Sequence, residues 1–413
     1  MPSALAREGA ARIEWADEQM PVLGRIRSRF EGDRPLDGLL VAACLHVTAE
    51  TANLCRTLVA GGAEVAVAAA NPLTTQDYVA ASLREQHGVD VLGERGEDFG
   101  AWTRHVGELA ERHPRITIDD GADLITALHA GDLENLIGGT EETTTGLVRL
   151  RALDDADGLK RPVIAVNEAR TERAFNDRYG TGQSALDGIV RATNLLLAGR
   201  TVVVLGYGWT GRGIAERARG LGAAEIVCEV DAMSALEARF EGFDVMPALV
   251  AAERGDVFVT VTGSRDVLTR AHFERMKDGA ILANAGHFDV EIDLAGLREA
   301  STADPHEVLP LVERYVLPDG RRLNLLARGR VVNLAAAQGH PASVMDMSFA
   351  TQALATEELA RHGAELPAGV LPVPPRIDAE VAGLKLASLG VEIDELSPEQ
   401  RDYLHSWRTG DQG

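Results

Sequence analysis

This sequence predicts an α/β protein with two doubly wound parallel-sheet domains, one inserted into the other, followed by a short C-terminal tail. Three observations carry that prediction. The chain has 413 residues, more than one ordinary core accommodates. Short apolar runs alternate with amphipathic stretches, the pattern of buried parallel strands joined by helices. A second series of such runs starts afresh just after Gly199, led by a glycine-rich turn.

In the first series the expected strands are "GLLVAACL", "AEVAVAAA", "RITIDDG" and "RPVIAVN". Helices fall between them. In "TANLCRTLVA", for example, Leu54, Cys55, Leu58 and Val59 share one helical stripe. The helical "QSALDGIVRATNLLLAG" leads into the second series, "TVVVLG", "EIVCEVD", "VFVTVTG", "AILANAG" and "VVNLAA". "QGHPASVMDMSFATQALATEELA" leads out of it and has the character of a core helix of the first unit. The second unit therefore reads as an insertion. The expected boundaries are 1–183 plus 338–372 for a substrate-binding domain, 184–337 for the inserted domain, and 373–413 for a tail beyond the proline-rich connector "PAGVLPVPPRID". Hinges are expected near 182–186 and 336–341, with the ligand pocket between the domains.

Composition excludes several classes. With 41 basic and 63 acidic residues the formal charge is −22, which disfavours nucleic acid and anionic membranes as partners. The sequence shows no 18-residue apolar window and no secretory-type N-terminus, so a cytoplasmic protein is expected. Cys44, Cys55 and Cys228 lie in apolar segments without ligand-like spacing, the pattern of reduced core residues, and no metal site is expected.

The motif with the clearest chemistry is "TVVVLGYGWTGRG". Gly206, Gly208 and Gly211 form GxGxxG between a strand and a helix: the first permits the tight turn, the second lets backbone approach a pyrophosphate, and the third allows close helix–strand packing. Glu229 closes the next strand, where a carboxylate accepts ribose hydroxyls and repels a 2′-phosphate. NAD rather than NADP is the expected cofactor.

Several further stretches, "CLHVTAET", "NPLTTQD", "DDGADLI", "EETTTG", "RYGTGQSALDGI", "NAGHFDVEID" and "LLARGRVVNLAAAQGHPASVMDMSFATQ", resemble the S-adenosyl-L-homocysteine hydrolase family in order along nearly the whole chain. The resemblance implies tightly bound NAD, a purine nucleoside substrate and a homotetrameric or homodimeric assembly. It implies a cycle of 3′-hydroxyl oxidation, removal of the acidified C4′ proton, β-elimination of the 5′ substituent, addition of water, and re-reduction. It also assigns residues. His46 matches the imidazole beside the leaving group and Asp120 the C4′ base; Glu142 matches the carboxylate on the ribose hydroxyls. Glu50 matches the acceptor for a purine amine, which favours adenine, and Thr48, Gln76, Asn167, His340, Met345 and Phe349 match further substrate contacts. His287 and Phe288 resemble a gate over the leaving-group channel. Thr143, Thr144, Thr145 and Asn333 match cofactor contacts. The ending "RDYLHSWRTGDQG" resembles the short microbial form, without the Lys and Tyr with which longer members reach a neighbour's NAD.

The resemblance breaks in "VNEARTERAFNDRYG". Where the family has Lys, Asp and Asn, this chain has Glu172, Asn176 and Asp177. Asn167 and Tyr179–Gly180 keep the family's spacing and leave no gap; the alternative, a one-residue slip in which Arg173 and Asp177 replace the Lys and Asp, turns each side chain by about 100° on a helix. Arg173 and Asp177 are expected to form an ordinary surface pair one helical turn apart. A carboxylate at 172 cannot stabilise an alkoxide as an ammonium does, but it can accept the 3′-hydroxyl proton, with its pKa raised beside Glu142 and Glu168. Asp177 is placed to favour the oxidised nicotinamide ring. Three readings remain open: a diverged nucleoside dehydratase that expels water and leaves an exocyclic alkene, as in nucleoside-antibiotic biosynthesis; an adenosylhomocysteine hydrolase with an unusual base; and a non-catalytic NAD-dependent binding relative.

Overall fold

A computed structural model of the chain describes residues 2–406; the end of the tail, 407–413, lies outside that span. In sequence order the strands are β1 (Leu40–Cys44), β2 (Glu64–Ala68), β3 (Asp90–Leu92), β4 (Ile116–Asp119), β5 (Gly138–Glu141), β6 (Pro162–Ala165), β7 (Thr201–Leu205), β8 (Ala224–Cys228), β9 (Asp244–Val245), β10 (Val257–Thr260), β11 (Ala280–Asn284), β12 (His306–Leu309), β13 (Val312–Val316), β14 (Arg322–Leu326) and β15 (Gly369–Pro372). They form two sheets. One has the order β15-β6-β5-β4-β1-β2-β3 and is parallel throughout. The other has the order β12-β13-β14-β11-β10-β7-β8-β9 and is parallel except at the edge, where β12, β13 and β14 run antiparallel. The first sheet draws on residues before and after the second, so the second unit is an insertion.

Both sheets reverse their winding at one point. In the first, β1 lies between β2 and β4; in the second, β7 lies between β8 and β10. Strand order reversal opens a crevice beyond the carboxyl ends, where open α/β sheets bind ligands. Those two crevices receive the motifs. His46 follows β1 and Asp120 follows β4, while Gly206 follows β7 and Thr262 follows β10.

The helix Ala342–His362 packs on the first sheet's face with Phe349, Ala350, Ala353 and Leu359 in its core. Its Asp346 is completely buried. Asp346 Oδ1 accepts from the Leu23 amide at 2.9 Å, and Oδ2 accepts from the Val22 amide at 3.3 Å and from Lys385 Nζ at 2.9 Å. Three separate helices are thereby fixed to one carboxylate.

Four expectations are corrected. The presumed connector "PAGVLPVPPRID" supplies β15, which pairs with β6, and the start of the helix Pro375–Ser388. That helix buries Ile377 and Val381 in the first core, so residues 373–388 pack with the substrate-side unit rather than forming a tail. "VVNLAA" is a single bridge at Val331 followed by the short helix Val332–Ala335, not a strand. Strands β3, β5, β9, β12, β13 and β14 were unforeseen: in β5, "GGTE" has no apolar run, and its glycines serve close approach, since a Cβ at Gly138 would stand 2.6 Å from the Pro162 carbonyl oxygen.

Removing Lys385 leaves the buried Asp346 charge without its cation. Lys385→Met is expected to cost about 3 kcal/mol in urea unfolding, whereas Arg191→Met, which breaks the exposed pair with Asp187, is expected to cost under about 1 kcal/mol.

Candidate active site

One cavity of about 1270 Å³ joins the two crevices. It exceeds the usual size of a single small-molecule pocket, roughly 300–1,000 Å³, and so has room for a dinucleotide and a second ligand. From the first sheet it is bordered by His46, Asp120, Glu142 and Asn167, each just beyond the end of β1, β4, β5 or β6. Thr48, Glu50, Thr143, Thr144, Thr145, Asn176, Asp177, His287, Asn333, His340, Met345 and Phe349 also border it, with Gly206, Gly208 and Glu229 on the inserted side.

Four sequence-predicted residues lie off the cavity wall. Gly211 packs behind the dinucleotide turn, where a Cβ would stand 1.9 Å from the Gly206 carbonyl oxygen. Gln76 is the N-terminal cap of the helix Asp77–Gln86, its amide bonded to the Val47 carbonyl. Phe288 supports His287 edge-on at 4.6 Å between ring centres. Glu172 is fully buried and stands behind Asn176, which corrects the expectation that it meets the sugar directly.

The dinucleotide turn fits NAD. Gly206 has φ of +104°, and the space where Gly208 would carry a Cβ is open within 4 Å, as close approach of a pyrophosphate requires. Glu229 accepts from the Tyr207 and Val230 amides, which holds its carboxyl at the cavity edge.

At the opposite end, Asp120 is held between two imidazoles. His46 Nε2 lies 3.2 Å from Asp120 Oδ2, and His287 Nδ1 lies 3.6 Å from Oδ1. Gly121, at φ +122°, makes room for this, since a Cβ there would stand 2.7 Å from His287 Nε2. The tautomer of His46 follows from its neighbour. Thr74 donates its hydroxyl hydrogen to the Asn71 carbonyl at 2.8 Å, so its oxygen accepts from His46 Nδ1 at 2.9 Å. Nε2 is then free to share a proton with Asp120. Burial raises the Asp120 pKa and lowers those of His46 and His287 to about 4, so withdrawal of water favours the neutral carboxyl–imidazole form over the ion pair. The three groups also bring ligand-type atoms within 4.8 Å of one another, a juxtaposition not apparent in the sequence.

The ribose-hydroxyl corner holds the divergent cluster. Glu142 accepts from Ser348 Oγ and Gln352 Nε2. Asn176 Nδ2 donates to Glu172 Oε2 at 2.6 Å and reaches Glu142 Oε1 at 3.5 Å. Burial first, with Asp120 and Asp177 adding like charge, pushes Glu142 up to about 8; burial and Glu142 itself push Glu172 well up. The corner is therefore largely protonated rather than doubly negative. Glu168, expected to contribute to this shift, is instead paired outward with Arg151 at 2.7 Å and Arg173 at 2.8 Å. The expected Arg173–Asp177 surface pair does not form: Arg173 binds Glu168, and Asp177 borders the cavity.

Sequence reasoning missed the supporting groups. Glu141 Oε1 accepts from the Gly121 and Thr143 amides and from Thr143 Oγ1, and Asp119 Oδ1 accepts from the Leu124 amide, so two buried carboxylates shape the loops carrying Asp120 and the threonines. Thr181 Oγ1 and Asn333 Nδ2 meet His340 Nε2 at 2.9 and 3.2 Å. Ser348 and Gln352 were legible in principle, since with Met345 and Phe349 they complete an i, i+3, i+4, i+7 stripe.

Two family models match the chain: "S-adenosyl-L-homocysteine hydrolase" over residues 3–135, and the NAD-binding domain of S-adenosyl-L-homocysteine hydrolase over residues 177–339. An adenosylhomocysteinase of Aquifex aeolicus is 57% identical over 98% of both chains. The chain belongs to the S-adenosyl-L-homocysteine hydrolase family. It carries that family's NAD-binding domain. An S-inosyl-L-homocysteine hydrolase of Methanopyrus kandleri is 56% identical, covering 98% of this chain and 96% of that one, and an adenosylhomocysteinase of Saccharolobus solfataricus is 52% identical over 98% of each. Among the described residues, no helix is long and apolar enough to cross a membrane.

Asp177 offers a test of the site's electrostatics. Burial raises its pKa to about 7, with Arg173 opposing, so its favourable contribution is complete below its unfolded pKa near 4 and is lost as pH rises through about 7. Asp177→Asn is expected to raise the thermal midpoint of cofactor-free protein at pH 8, with the difference vanishing near pH 4.

Proposed function

We propose that the chain processes a purine nucleoside by redox-assisted elimination, and that the group lost is a 5′-type hydroxyl, leaving as water. The observation that carries this reading is the corner formed by Glu142, Asn176 and Glu172, in which carboxyl groups stand where the family's ammonium–carboxylate pair is expected. Bound NAD supplies reversible oxidation of the sugar hydroxyl. Gly206, Gly208, Glu229, Thr143–Thr145 and Asn333 are the residues proposed to hold it, with Asp177 beside the nicotinamide.

Glu142 faces the cavity, accepts the hydroxyl proton and returns it when the ketone is reduced again; Asn176 Nδ2 donates toward both Glu142 and Glu172, so the buried Glu172 tunes how readily Glu142 takes that proton. Glu172 thus acts through Glu142 rather than touching the sugar. At the other end the shared proton first passes from Asp120 Oδ2 to His46 Nε2; Asp120 then takes the C4′ proton while His46 gives its own to the departing oxygen. The C4′–H and C5′–O bonds break, the alkene forms and water leaves. Asp120 is then protonated and His46 neutral, which restores the resting arrangement. A hydroxide is a far poorer leaving group than a thiolate and depends on this delivery; the 3.2 Å contact allows it. His287 close over Asp120 also suits a small leaving group. Glu50, at the cavity wall behind the Thr48 cap, is proposed to accept from an adenine amine.

A second reading, cleavage of the thioether of S-adenosylhomocysteine, is favoured by the 57% identity to a relative named adenosylhomocysteinase. Both readings share the oxidation and the C4′ proton removal. They part at the product. Incubating the holoenzyme with adenosine, other nucleosides with a free primary hydroxyl, S-adenosylhomocysteine and S-inosylhomocysteine, and following NADH absorbance, thiol release and product mass, is expected to show loss of one water without thiol. Thiol release from S-adenosylhomocysteine alone would establish the second reading.

The NADH-forming burst is expected to accelerate as pH rises through about 8, as Glu142 loses its proton. Glu172→Gln is expected to slow that burst by ~100-fold and to flatten its pH dependence, with nucleoside affinity retained. An unchanged burst and profile would refute the tuning role.

A further inference from the structure

The ionisable groups lining the cavity are lopsided, even though burial raises the pKa of Glu50, Asp120, Glu142 and Asp177 and so moderates their charge. Glu50, Asp120, Glu142, Asp177 and Glu229 all border it, and among the described residues Arg173 is the single lysine or arginine that does. The three histidines on the wall add no permanent charge, since burial lowers the pKa of His46, His287 and His340 to about 4. A dinucleotide adds two phosphate charges to this acid-rich space. The amino end of the helix Trp209–Gly220 offsets roughly half a charge. A guanidinium is the group suited to the rest.

Arg173 is built to be released. Its side chain is 40% exposed, and its ion pair goes to Glu168 Oε1 at 2.8 Å. The other oxygen of Glu168 is separately bound by Arg151 at 2.7 Å, so Glu168 keeps a cation if Arg173 leaves. Exposed pairs of this kind are worth roughly 0–1 kcal/mol, whereas a guanidinium on a phosphate inside a cavity makes a stronger, charge-assisted contact. Arg173 is the second residue of the segment Glu172–Thr181, which packs against Trp209–Gly220; a Cβ at Gly213 would stand 1.9 Å from the Arg178 carbonyl oxygen. The arginine therefore sits on an element fastened directly to the helix that receives the pyrophosphate.

We propose that Arg173 is a cofactor-binding residue, exchanging Glu168 for the pyrophosphate of bound NAD and supplying the permanent positive charge of the cofactor cavity. The proposal concerns cofactor binding alone and does not depend on the leaving group or on the base at the sugar.

The test measures binding of NAD and of ADP-ribose, which has the pyrophosphate but lacks the nicotinamide, to the full-length protein after exchange of its cofactor. Arg173→Gln is expected to weaken both by ~10- to 100-fold, with the deficit shrinking as salt is raised and adenosine affinity unchanged; Arg173→Lys is expected to recover part of the loss. Glu168→Gln frees the arginine and is expected to leave both affinities unchanged or stronger. If Arg173→Gln binds both ligands as the parent does, the proposal fails. It fails equally if Glu168→Gln weakens them as much as Arg173→Gln, because the ion pair would then be the working unit.

Discussion

The buried carboxyl of Glu142 is the knot on which the site depends. It projects from the end of β5, accepts from Ser348 and Gln352 on the long helix Ala342–His362, and is reached by Asn176 on the segment entering the inserted unit. Three stretches, the farthest 210 residues apart in sequence, meet at one side chain. Each partner is a hydrogen-bond donor, so the carboxyl is satisfied without an ion pair, which is the condition under which an acid can be buried beside other acids. The same arrangement sets its chemistry: solvation is withdrawn, no lysine or arginine among the described residues pairs with it, and the proton is retained into the neutral range.

Asp120 shows the complementary solution. It too is buried, but its neighbours are imidazoles, which exchange protons rather than holding a fixed charge. The cavity thus has one end where a proton is stored among carboxyls and another where a proton passes between unlike groups. The elimination proposed above needs both operations at adjacent carbons, and β4 and β5, neighbours in one sheet, lead directly into Asp120 and Glu142.

Much of this was legible before any coordinates. Apolar runs marked β1, β2, β4, β6, β7, β8, β10 and β11, because strands buried on both faces must be apolar. β5 escaped notice because close packing against Pro162 demands glycine there, which erases the apolar signature. β15 escaped because its flanking prolines suggested an extended connector, yet an edge strand tolerates proline. The exchange of Lys, Asp and Asn for Glu172, Asn176 and Asp177 was visible as a change of residue type. That Glu172 would lie one layer behind the cavity was not, because periodicity places a residue on a face and does not say how many side chains stand in front of it. The protonation of the corner was hidden for a related reason: formal charge counted along a sequence ignores the withdrawal of water.

The glycine contact between Gly213 and the backbone of Arg178 has a mechanical meaning. Gly182 makes a similar approach, with a Cβ there standing 2.6 Å from the Gly213 carbonyl carbon. Where two main chains touch without intervening side chains, there is no compressible layer between them. The segment carrying Asn176 and Asp177 is thereby seated at a fixed offset from the helix that follows the dinucleotide turn, and the spacing between the two crevices on that side of the cavity is set by backbone rather than by side-chain packing.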